Sequence, residues 1–166
     1  MRSREWDRVL EKDREIIDKY IKEIPVRLGA LAEELGLSVT VGTLMSGISG
    51  EIRPDRETDG KYIIRVNRHE TKERQRFTLA HEIGHFLLHK DKIGDGISDD
   101  VLYRSELSNS LEAEANRIAA DILMPRQVIE KILSLNNKLD DDQIKDLARK
   151  FKVSPAAMEI RLGLKR

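Results

Sequence analysis

Apolar residues at Trp6, Val9, Leu10, Ile16, Ile17, Tyr20, Ile21 and Ile24 return at intervals of three and four, with one gap at Asp13, which predicts an amphipathic helix over 6–24. Pro25 suits the first turn of a second helix, Leu28, Leu31, Ala32 and Leu35 form its inner side, and Gly36 supplies a left-handed stop. From Leu37 to Asn67 the pattern changes to Val39 and Val41, Ile48 and Ile52, then Tyr62 to Val66, with Asp59-Gly60 as a turn. These segments predict a small antiparallel sheet. Helical spacing resumes over 70–89 through Phe77, Leu79, Ala80, Ile83, Phe86 and Leu87, the most apolar helix of the chain and the one expected at its centre.

Lys90 to Ser110 is rich in Asp, Gly and Ser and reads as loop, with a short strand expected at Val101 to Arg104. Leu111 to Leu123 is again helical, and Pro125 divides it from a further helix over Arg126 to Leu135. The remaining stretch predicts two helices, Asp140 to Phe151 with an acidic start and Pro155 to Leu162 with Ser154 as N-cap, in a helix-turn-helix-like pair.

Length and composition narrow the classes of function. The 166 residues suit one compact unit. Thirty basic residues balance thirty acidic ones, which excludes a protein that works by bulk basicity, so any nucleic-acid contact must be local. The basic stretch from Lys145 to Arg166 is the place for it, although Leu147, Phe151, Val153 and Leu162 equally suit packing of the last two helices onto the rest of the chain. No run approaches the roughly 20 apolar residues that cross a bilayer, no apolar signal segment opens the chain, and there is no cysteine. A cytoplasmic location without membrane contact is expected.

The chemistry concentrates at His81-Glu82-Ile83-Gly84-His85, an H-E-x-x-H string inside a helical pattern. Four residues place the two imidazoles on one face about 6 Å apart along the axis, where both can converge on one ion. Glu82, rotated about 100° from them, reaches a water beside that ion as a general base. His89 continues the series, but three histidines spanning roughly 12 Å cannot share one ion, so it is expected to mark the helix end. A third ligand must come from elsewhere. Glu112 is the preferred candidate, because Asn116 one turn later can hydrogen-bond a ligating imidazole; Glu114, Asp95, Asp99 and Asp100 are rivals. Two imidazoles and a carboxylate suit zinc (Zn2+), and manganese or iron (Mn2+ or Fe2+) can occupy such a set. An oxyanion donor is expected upstream of Glu112, at Tyr103, His69 or Tyr62, or from an arginine.

The stretch from Gln75 to His85, QRFTLAHEIGH, and that from Glu112 to Pro125, EAEANRIAADILMP, resemble the ImmA/IrrE family of metallopeptidases. Ile118 stands where that family usually has Phe. The resemblance extends over roughly 28–162 and singles out His81, His85 and Glu112 as metal ligands and Glu82 as the base. For the α+β fold it implies a mainly helical zincin-like core at 37–135, to which the periodicity adds an N-terminal helical hairpin at 1–36 and the helix-turn-helix-like segment at 136–166. It also implies a zinc endopeptidase that cleaves a helix-turn-helix transcriptional repressor and so derepresses genes. The alternative is a metal-containing DNA- or repressor-binding module without proteolysis. By general mechanics, a substrate peptide would pair with a sheet edge near Tyr62 to Val66.

Overall fold

The computed structural model describes residues 2–100, 106–134 and 139–165. The chain enters through a short 3-10 helix at Arg4–Arg8, then runs through helices α1 (Glu11–Tyr20) and α2 (Leu28–Glu34). The continuous helix expected over 6–24 is therefore broken at Val9 and Leu10. Trp6 and Val9 turn inward while Leu10 stays exposed, because the first segment docks on a different surface from α1. The second helix starts at Leu28 and not at Pro25.

Strands β1 (Leu37–Gly42), β2 (Ile48–Pro54) and β3 (Tyr62–Asn67) follow, then α3 (Lys72–Leu88), β4 (Ile97–Asp100) and α4 (Glu106–Leu123). The four strands form one sheet in the order β1-β3-β2-β4. The fold is α+β as expected, but the sheet is mixed. β2 pairs antiparallel with both β3 and β4, whereas β1 and β3 run parallel. The physical reason is that β3, returning from its hairpin with β2, slots between β1 and β2 and so runs in the direction of β1. This also removes the substrate edge expected near Tyr62 to Val66, since β3 is paired on both sides. Among the described residues the outer strands are β1 and β4. The strand expected at Val101 to Arg104 lies outside the described residues; the observed β4 immediately precedes it.

Helix α3 is the centre of the molecule. Residues 80–87 are all buried, around the whole circumference of the helix, as expected of an element covered on every side. The sheet covers one side. A Cβ on Gly50 of β2 would stand 2.3 Å from Thr78 Cγ2 and 3.3 Å from Glu82 Oε1. Helix α4 covers the other side with its backbone, for a Cβ on Gly84 would stand 2.9 Å from the carbonyl oxygen of Ala115 and 3.1 Å from its Cα. Backbone cannot yield as a side chain can, so Gly84→Ala should separate α3 from α4. We expect it to lower stability by about 1–3 kcal/mol in urea unfolding, despite the better helix propensity of alanine.

The chain closes with α5 (Arg126–Leu133), α6 (Asp141–Phe151) and α7 (Pro155–Arg161). Asp140 and Gln143 form a reciprocal capping box and the Ser154 hydroxyl accepts the Ala157 N–H, the two starts read from the sequence. Phe151 and Met158 are fully enclosed in the common core.

Candidate metal centre

Two buried histidines in the middle of an enclosed helix need partners, and α4 brings them. His81 Nε2 lies 2.9 Å from one oxygen of Glu112 and His85 Nε2 lies 3.1 Å from the other. The two Nε2 atoms are themselves 3.0 Å apart. Among the described residues, His81, His85 and Glu112 form a group whose donor atoms all lie within 4.8 Å of one another. Burial alone would raise the Glu112 carboxyl, but hydrogen bonds and charge from the two imidazoles more than reverse this and hold it well below the usual carboxylate range.

The outer nitrogens of both rings are also engaged. His81 Nδ1 is 2.9 Å from Asn116 Oδ1. That amide oxygen can only accept, so His81 Nδ1 donates to it, and Nε2 is the nitrogen turned toward Glu112. The donor set therefore fits a divalent ion, with two imidazole nitrogens, one carboxylate and an amide-oriented ring.

Glu82, one residue from His81, is fully buried on the side of α3 that faces β2. It is thus set apart from the donors yet next to them, as the helical rotation requires. Asn116, expected to hydrogen-bond a ligating imidazole, has its Oδ1 2.9 Å from His81 Nδ1. Glu114 turns from Glu112 as expected, reaching His89 at 2.9 Å and Arg8 at 2.7 Å. Asp95 is exposed.

The two oxyanion candidates among the described residues, His69 and Tyr62, have their contacts elsewhere. His69 is exposed and hydrogen-bonds Thr43 at 3.1 Å, Tyr62 packs edge-on against Phe86 at 5.6 Å, and Tyr103 lies outside the described residues. Sequence reasoning gave His89 only the task of ending the helix, which it does. It is also wholly buried, with Nδ1 2.9 Å from His85 Nδ1. Enclosure keeps its ring less basic than usual, against the opposing pull of Glu114. The signal was present in the spacing: a residue one turn beyond His85 is too far to share its ion and well placed to touch its ring.

Near the cluster a cleft of about 1070 Å³ opens between α3, α4 and α7, with Phe77, Asn116, Met124 and Ile160 among its walls. Arg161, in the basic stretch considered for DNA contact, is held there by Asp121 at 2.7 Å and by the Met124 carbonyl at 2.8 Å. Its side chain is only 10% exposed, so this guanidinium serves the fold.

The family model for the IrrE N-terminal-like domain matches residues 19–163. The radiation response metalloprotease IrrE of Deinococcus radiodurans is 40% identical over 101 residues, covering 55% of this chain and 30% of that protein. The protein of the same name from Deinococcus deserti is 38% identical over 102 residues, covering 55% and 36%. The metallopeptidase ImmA of Bacillus subtilis is 28% identical over 96 residues, covering 58% and 53%. The matched stretch thus spans about a third of the two IrrE proteins and about half of ImmA. Among solved structures, a Mycobacterium tuberculosis transcriptional regulator aligns over 95% of this chain and 49% of its own, with a TM-score of 0.60 at 18% identity, a likeness of fold.

Proposed function

The chain belongs to the IrrE N-terminal-like family, and from that premise we propose that it is a zinc-dependent endopeptidase that cleaves a helix-turn-helix transcriptional repressor and so derepresses genes. The observation that carries the reading is the convergence of His81, His85 and Glu112 from two helices beside the buried carboxylate of Glu82. His81, His85 and Glu112 would hold the ion. Zinc in such a set supplies Lewis acidity, which acidifies water and polarises a carbonyl.

The protein's own groups do the rest. Glu82 takes a proton from the attacking water and passes it to the departing amine, so the peptide C–N bond breaks as the new C–O bond forms. Asn116 keeps His81 oriented. An extended substrate would add to β4, an outer strand, whose Ser98 and Asp100 pair with Glu51 and Ile48 on either side of Gly50, where a Cβ would come within 3.3 Å of Glu82 Oε1. The names of IrrE and ImmA, a radiation response metalloprotease and a metallopeptidase, support the class of reaction. The helix-turn-helix substrate is the expectation carried by the motif resemblance.

The test is to incubate the purified chain with the helix-turn-helix regulator encoded beside it. Discrete fragments are expected with zinc, none after chelation, and their return when zinc is restored. An intact regulator after incubation with the fully zinc-loaded chain would refute this substrate.

A further inference from the structure

Four side chains run in line from the cluster to the surface: His85, His89, Glu114 and Arg8, joined at 2.9, 2.9 and 2.7 Å. The direction of their hydrogen bonds follows from the outer end. A guanidinium only donates, so Glu114 Oε2 accepts from Arg8, and the same oxygen accepts from His89 Nε2. His89 donates its ring proton at Nε2 to Glu114, which leaves Nδ1 as the acceptor that faces His85. His85 Nδ1 must then be the donor in the bond between the two rings. Nε2 is then the nitrogen offered to a metal, beside Glu112 and His81.

We propose that His89 and Glu114, anchored by Arg8, are positioning residues that hold His85 in the Nδ1–H tautomer required of a metal ligand. The inference rests on the metal-centre reading above. It makes the two ligand rings unlike in their support. His81 is set by one amide on α4, while His85 is set through a second histidine by a carboxylate and an arginine of the first 3-10 helix. The N-terminal segment thereby reaches the metal centre without touching it.

The experiment uses the full chain, zinc-free and zinc-loaded, with zinc ion as the probe. Affinity is read by competition with a fluorescent chelator, and the His85 tautomer by long-range proton–nitrogen NMR of the zinc-free chain. In the parent, His85 should carry its proton on Nδ1. Glu114→Ala and His89→Phe should each weaken zinc binding by roughly 10–100-fold and move the proton toward Nε2. Glu114→Gln, whose amide oxygen still accepts from His89, should restore most of both. Glu114 lies near the surface, so Glu114→Ala decides the matter if the buried His89→Phe chain does not fold. A parental tautomer in the variants would overturn the inference, with or without a loss of affinity, while leaving the metal centre standing. Failure of the parent to take up zinc at all would overturn the metal centre itself.

Discussion

A Glu82→Gln chain is expected to take up one zinc ion as the parent does and to cleave its substrate about 10²–10⁴-fold more slowly, the range that general acid–base catalysis commands. Glutamine keeps the size and polarity of the side chain but has no basic oxygen. Size matters at this position, because Glu82 is fully buried and its Oε1 lies where a Cβ on Gly50 would come within 3.3 Å. Metal analysis and a fragment assay on the same preparation separate the two effects. Full zinc occupancy with cleavage at the parental rate would remove Glu82 from the reaction. Loss of zinc together with loss of cleavage would place it among the groups that hold the ion.

The largest effect on stability is expected at Asp121. One of its oxygens accepts the Ser3 backbone N–H and the Trp6 indole N–H, each at 2.7 Å, and the other accepts from Arg161 at 2.7 Å. With the carboxylate 2% exposed and the guanidinium 10% exposed, Asp121→Ala leaves a cation enclosed without its counter-charge. Breaking such a pair from one side costs about 3–5 kcal/mol, readable as a lower urea midpoint. A loss under about 1 kcal/mol, the level of an exposed pair, would contradict this account. Replacing both partners at once, as Asp121→Asn with Arg161→Met, should recover much of the loss, since the amide oxygen still accepts from Ser3 and Trp6 and no charge is stranded.

Acid should loosen the same region. Burial favours a protonated Asp121, but its bonds from Ser3 and Arg161 prevail and its pKa is lowered. Glu5, bound to Arg117 at 2.7 Å, follows the same logic and is lowered to about 2 from 4.5. For carboxyls depressed on folding, the stabilisation is complete above their unfolded values and is lost as pH falls through the folded ones. The contribution of Glu5 should therefore fade between about pH 4.5 and about pH 2, and a Glu5→Gln chain should show a shallower acid dependence of stability.

The chemistry was more legible in the sequence than the topology. The helical rotation between residues 81, 82 and 85, and the one-turn step from Glu112 to Asn116, are local properties, and the structure keeps both. The helix starts at Asp140 and Ser154 were readable for the same reason, as local signals, an acidic run that complements a helix N-terminus and a hydroxyl that caps its own backbone. What was not readable depends on distant partners. The insertion of β3 beside β1 follows from sheet assembly and leaves no mark on the hydrophobic alternation of either strand. Ile97–Asp100 has the composition of a loop and becomes a strand by pairing with β2. Helix α4 begins at Glu106, ahead of the expected Leu111, through Ser108, Asn109 and Ser110, residues of weak helix propensity. The contact of His89 with the His85 ring depends on how α4 encloses both, so helix spacing alone shows only that His89 lies too far along to share the ion.

The first 3-10 helix meets α4 along a single stripe, with Arg8 on Glu114, Glu5 on Arg117 and Trp6 on Asp121, while Glu112 and Asn116 occupy another. All three anchors precede residue 19, where the match to the family begins. A fragment trimmed to that boundary would retain every donor atom, yet it would uncover the indole's footprint and release one end of the tether to His85. Cloning limits drawn from homology would thus excise a brace, and an affinity tag joined close to Ser3 would strain it.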